Sequence, residues 1–174
     1  AIAFLMNWII APIFMFLLAI TFVPNQPEYM AYVPETNELW VSNQGSDDIA
    51  IINVESMTIS ALVSLTSGDS PQGIVYVPSV GVYVVCNGST TIKLINIYTR
   101  AVTNTIVAPV NPQQIIYEQS INRIFVIGAL AGDLREYDAM TGFFITSIAT
   151  GLGQPECVTY EPSIDTLFVA GFAS

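Results

Sequence analysis

Runs of β-prone apolar residues, each cut short by a polar turn, make up most of this chain. The clearest case is Leu39-Trp-Val-Ser-Asn-Gln-Gly-Ser-Asp-Asp-Ile-Ala-Ile-Ile-Asn-Val54. Trp40 and Val41 belong to one run, Asn43 to Asp48 interrupt it, and Ile49 to Val54 resume it. Asn, Gly, Ser and Asp between two such runs are hairpin chemistry. Gly supplies a positive φ, and the short polar side chains bond their own backbone. The pattern returns as Val82-Tyr-Val-Val-Cys-Asn-Gly-Ser-Thr-Thr-Ile-Lys-Leu-Ile-Asn-Ile97 and, more loosely, between Arg123 and Asp138.

The recurrence has a period. Tyr32, Tyr76, Tyr117 and Tyr160 hold matching places at spacings of 44, 41 and 43. Ahead of each later copy stands a Pro with a polar neighbour: Ser70-Pro-Gln-Gly73, Asn111-Pro-Gln-Gln114 and Gln154-Pro-Glu-Cys157. Repeats of about 40–45 residues with four short strands each predict an all-β fold, a β-propeller of four-stranded antiparallel blades. The copies fall at residues 29–72, 73–113 and 114–156, with a partial one at 157–174. In the second copy, strands are expected at 73–78, 82–86, 91–97 and 102–108. In the partial fourth copy they are expected at 157–161 and 166–171. The Tyr segments should be the innermost strands, around one axis. A closed propeller needs about 4–8 blades, so about three and a half would be incomplete. The expectation is a fragment of a longer chain. Closure by a second copy or by strands from another protein is the alternative.

Residues 1–23 follow a different pattern. They carry no charge, and Asn7 and Thr21 are their only clearly polar side chains. As a helix they would reach about 35 Å, enough to cross a hydrocarbon core of about 30 Å. Pro12 would kink such a helix, which membranes tolerate. A retained transmembrane helix is the expectation, with Asn7, Trp8, Pro12, Phe14 and Phe16 as anchor residues facing lipid or partner helices. A signal peptide and a buried soluble helix are the rival readings. The apolar run is long for a signal peptide, no Lys or Arg precedes it, and Ala19-Ile-Thr21 is a poor cleavage site. No flanking basic residue orients the segment. Residues 24–28, with Pro24 and Pro27, read as a short linker that holds the repeats close to the bilayer.

Composition narrows the chemistry. Of 174 residues, 52% are apolar and 10% charged, and fourteen acids against four bases leave a net charge of -10. Such a surface repels phosphate backbones, which excludes nucleic acid as a natural partner. The absence of His removes the usual general base and the commonest metal ligand. No cofactor, metal or catalytic set stands out, so an enzyme is not expected unless a catalytic part lies beyond residue 174.

The order Pro-Gln-Gly, Ile-Val-Tyr-Val-Pro78, Val-Tyr-Val-Val-Cys-Asn-Gly-Ser89, Ile-Lys-Leu-Ile-Asn96 resembles the YVTN family of β-propeller repeats. Leu39-Trp-Val-Ser-Asn-Gln-Gly-Ser-Asp-Asp48 is similar to that family's naming motif. The resemblance covers nearly everything after Tyr29. It implies a surface-layer or secreted protein, often archaeal. The third copy departs from the pattern at Ile127-Gly-Ala-Leu-Ala-Gly-Asp133, where a longer or bulged hairpin is expected.

Individual residues invite closer readings. Asn87-Gly-Ser89 is an N-glycosylation sequon in a turn. Modification of Asn87 and chance occurrence in a turn of this composition are both open. Asp47 and Asp48 read as solvated turn acids. Asp138-Ala-Met-Thr-Gly142 reads as an Asx-initiated turn, and Arg135 should pair with a neighbouring acid. Cys86 and Cys157 fall on non-adjacent blades, too far apart for a disulfide, and are expected as two buried thiols. Trp40, Tyr83 and Phe125 align on second strands and should pack between blades. The functional expectation is a membrane-anchored extracellular propeller, with the lipid bilayer and other protein subunits as partners, acting as a structural or interaction module at the cell surface. The alternatives are an accessory subunit of a membrane enzyme complex and a subunit of a surface filament.

Overall fold

A computed structural model describes residues 25–172. The expected membrane helix and its anchor residues Asn7, Trp8, Pro12, Phe14 and Phe16 lie outside that range. No helix among the described residues is long and apolar enough to cross a membrane.

All regular structure in this range is strand, and it falls into separate antiparallel sheets. The first holds β1 (Pro27–Val33), β2 (Glu38–Asn43), β3 (Asp48–Asn53) and β4 (Thr58–Ser64) in that order. The second holds β5 (Pro71–Val77), β6 (Gly81–Cys86), β7 (Thr91–Ile95) and β8 (Val102–Val107). The third holds β9 (Pro112–Glu118), β10 (Arg123–Gly128), β11 (Asp133–Asp138) and β12 (Phe144–Ala149). A two-stranded sheet of β13 (Gln154–Glu161) and β14 (Thr166–Phe172) completes the described chain. These are propeller-like blades, about three and a half of them. The Tyr segments are the first strands, each in its own sheet, and β5 packs between β1 and β9 while β9 also meets β13.

The blades hold together through alternation along each strand, since successive side chains face opposite neighbours. Trp40, Ile49 and Ile51 of the first blade meet Ile74, Val82, Val84 and Ile95 of the second. Tyr83, Val85 and Ile92 of the second meet Ile115, Ile124, Val126 and Tyr137 of the third. Phe125, Ile127 and Leu134 of the third meet Val158, Leu167 and Val169 of the fourth. Each fully buried side chain of this kind stabilises by about 1.5–3 kcal/mol. Trp40, Tyr83 and Phe125 are therefore core residues at equivalent positions, as their alignment predicted.

The third hairpin is neither longer nor bulged. Residues 129–132 link β10 and β11, the same length as 44–47 and 87–90 in the other blades, and the pairing runs without a register shift. The reason is local. The last turn residue needs a positive φ in every blade, and Asp47 (54°), Thr90 (54°) and Gly132 (65°) each supply it. Gly132 does this without the steric penalty that the other two bear.

Candidate functional site

At one end of the blades, the hairpins between second and third strands meet the loops that lead into the next blade. Asp47 accepts hydrogen bonds from the Gly68 and Ser70 amides, at 2.8 and 2.7 Å. Asp48 is buried and accepts from Asn43 Nδ2 at 2.7 Å. Both acids staple the fold, and Asp48 is not the solvated turn residue expected, while Asp47 is half-buried. Asp69, also buried, takes the ammonium of Lys93 at 3.0 Å and the Thr66 amide at 2.7 Å. Burial alone would raise its pKa. Hydrogen bonds from Ser89, Lys93 and Thr66 outweigh that and hold the carboxyl below its ordinary range.

Asn87 lies in the β6–β7 turn, half-buried, and its Oδ1 accepts from Asn111 Nδ2 of the next loop at 3.1 Å. Cys86 is buried and Cys157 exposed, and both are free thiols. The expectation of two buried thiols fails at Cys157. Its cross-strand partner is Ala170, on the face of β13–β14 that turns away from the third blade.

The opposite end of the blades carries a repeated latch. The Tyr32 hydroxyl donates to Asn37 Oδ1 at 2.9 Å and Tyr117 to Asn122 Oδ1 at 3.3 Å, while Tyr160 donates to Asp165 Oδ1. In each case the acceptor follows its tyrosine by five residues, in the turn to the second strand. Blade two breaks the rule, because Gly81 stands at that position. Its φ is 145°, and a Cβ would come within 2.5 Å of the Ile95 carbonyl oxygen. The Tyr76 hydroxyl instead donates to Glu35 of the first blade. Beside this pair opens a cavity of about 160 Å³, lined by Glu35, Tyr76, Ser79, Gly81, Ile97 and Tyr98 among others.

The turns after the third strands repeat as well. Asn53, Asn96 and Asp138 each accept amide bonds from the residues that follow, at 2.8–3.1 Å. Asp138 thus initiates an Asx turn closed by Gly142, as its spacing suggested. Arg135 pairs with Asp133 at 3.0 Å, and Arg123 with Glu136 and Asp138 at 3.0 and 3.3 Å. Among the described residues, no three His, Cys, Asp or Glu side chains are grouped to hold a metal ion.

No protein-family model matches the chain. No curated protein matches it either. Among solved structures it is similar to hydrazine synthase from Kuenenia stuttgartiensis, with a TM-score of 0.73 at 18% identity, over 81% of this chain and 40% of that one. The chain thus spans well under half the length of its structural neighbour. At that identity the likeness establishes the fold and leaves activity open.

Proposed function

We propose that the chain is a non-catalytic interaction module: a YVTN-like propeller, anchored by residues 1–23 in a cell membrane, whose blades face the extracellular side. The observation that carries this reading is the outer face of the fourth blade. Leu167 and Val169 pack on the third blade, whereas Phe168 and Phe172 on the alternate face are 52% and 62% exposed. This face has the composition of a blade–blade contact and no blade against it among the described residues. The edge of β14 carries no charge and no proline, the features that normally discourage pairing with another chain. Both features suit a further blade packed on this face, supplied by residues that follow in a longer chain or by strands of another protein.

The carboxylates of the blade ends fit a non-catalytic role, because Asp47, Asp48, Asp69 and Asp138 bond backbone amides, side-chain amides or basic side chains, and Asp133 pairs with Arg135 through Oδ2 while its Oδ1 has no partner among the described residues. A second reading, an accessory subunit of a membrane enzyme complex, draws on the likeness to hydrazine synthase at the level of fold alone. Gentle detergent extraction followed by native mass determination tests the proposal. Association with copies of itself or with non-enzymatic surface proteins supports the module. A fixed set of partners with a catalytic subunit favours the second reading, and a helical polymer overturns both.

A further inference from the structure

The break in the tyrosine latch leaves a carboxylate that none of the described basic side chains pairs with. The sequence holds four basic side chains. Lys93 is bound to Asp69, Arg100 to Glu38, Arg123 to Glu136 and Asp138, and Arg135 to Asp133. None pairs with Glu35. That carboxylate stands at the boundary of the first and second blades, where it accepts the Tyr76 hydroxyl at the edge of the cavity.

The lining suits a cation. Tyr98 is 70% exposed and is part of the lining, so a second tyrosine borders the cavity. Tyr76 lies beside Glu35, and Ile97 and Gly81 give an apolar, close-packed wall. Tyrosine rings attract ammonium groups through their negative faces, by about 0.5–2 kcal/mol depending on exposure. The phenol of Tyr76 stays a neutral donor: burial first, and the Glu35 carboxylate next, push it up to about 12. A net charge of -10 adds a long-range pull on any cation. The size sets the limit. Pockets for drug-sized ligands run to about 300–1,000 Å³, whereas about 160 Å³ admits one small group.

We propose that the cavity between Glu35, Tyr76 and Tyr98 is a binding site for a single alkylammonium group, presented either by a free small amine or by a lysine side chain. Blade two alone carries it among the described blades, because Gly81 removes the acceptor that would hold Tyr76 in its own turn. The site is independent of the outer face of the fourth blade.

Amide chemical shifts of the full chain, titrated with n-butylammonium chloride at constant ionic strength, test the site. The expected result is a saturable shift confined to residues around Tyr76, Gly81 and Tyr98, with n-butanol giving none. In Glu35→Gln the half-saturation concentration should rise by about tenfold, equivalent to about 1.4 kcal/mol, with the melting temperature held. Tyr98→Ala, at an exposed position, should weaken binding without affecting folding. Nα-acetyl-lysine methylamide separates the sources. Binding equal to butylammonium assigns a free amine, and tighter binding assigns a lysine side chain. A linear, unsaturable response, an equal response to n-butanol, or an unchanged titration in Glu35→Gln overturns the proposal.

Discussion

Arg100 donates from one guanidinium nitrogen to both carboxylate oxygens of Glu38, at 2.8 Å each, across the boundary between the first two blades. The same guanidinium lies 5.1 Å from the centre of the Trp40 ring and donates to the Ile97 carbonyl. One boundary further on, the residue equivalent to Trp40 is Tyr83, and its hydroxyl donates to the matching carbonyl of Ala139 at 3.1 Å. Trp40 Nε1 has no hydrogen-bond partner among the described residues. Arginine therefore serves in the first boundary the carbonyl that tyrosine serves in the second.

That pair should be worth more than the Arg123–Glu136 pair of the third blade, though it is less buried than Lys93–Asp69. Glu38 is nearly buried, while Arg123 and Glu136 sit at 31% and 21% side-chain exposure. Removing one partner of a buried pair strands the other charge, whereas partly exposed pairs contribute little. Glu38→Gln should cost about 2 kcal/mol in denaturant-induced unfolding, and Glu136→Gln less than about 1 kcal/mol. Equal losses would contradict the assignment.

The two thiols should differ in reactivity. Burial pushes the Cys86 thiol up to about 12, and Asp69 adds to the effect. Cys157 is exposed. An aromatic disulfide reagent at mild alkaline pH should modify one thiol in the native chain, that of Cys157, and both after denaturation without reduction. Native labelling of Cys86, or protection of both thiols in denaturant, would show that the β6 or β13 placement is wrong.

Stability should fall at both extremes of pH. Hydrogen bonds from Thr141 hold Asp138 below its ordinary range, and Asp69 is lowered in the same direction. Carboxylates with depressed native pKa values stabilise the fold above their unfolded value, near 4, and lose that contribution as pH falls through the native one. Tyr76 has the opposite sign. Its pKa is raised from 10.0 to about 12, so its contribution is full below pH 10 and is lost between 10 and 12. Melting temperature against pH should show a plateau with losses below about pH 4 and above about pH 10. Phenolate absorbance should show a late-titrating class, and Glu35→Gln should move one tyrosine earlier.

Much of this arrangement was legible before any coordinates. The Tyr spacing marked the first strands, and the turn residues marked the hairpins. β6 and β8 begin and end within one residue of the expected bounds, while β5 starts two residues earlier, at Pro71, and β7 stops two earlier, at Ile95. The five-residue spacing from each tyrosine to Asn37, Asn122 and Asp165, and its exception at Gly81, stand in the sequence but were not legible there as a latch, because only the structure shows that these side chains bond and that a cavity opens beside Gly81. The exposure of Cys157 was not legible. Strand alternation puts it on one face, but only the arrangement of sheets shows that the face has no neighbour among the described residues. The bonding of Asp47 and Asp48 was hidden for a similar reason, because their partners belong to other strands and loops.

The most direct test of the interaction module targets the outer face of the fourth blade. Native mass determination on the full chain, extracted gently, should be compared with that on Phe168→Asp and Phe172→Asp. Both side chains are exposed and leave the contact of Leu167 and Val169 with the third blade intact, so the fold should tolerate the changes. The parent chain should assemble and both variants should lose the assembly, with an unchanged melting temperature of the remaining blades. A parent chain that is monomeric at every concentration and with every co-extracted protein, or variants that assemble as the parent does, would contradict it.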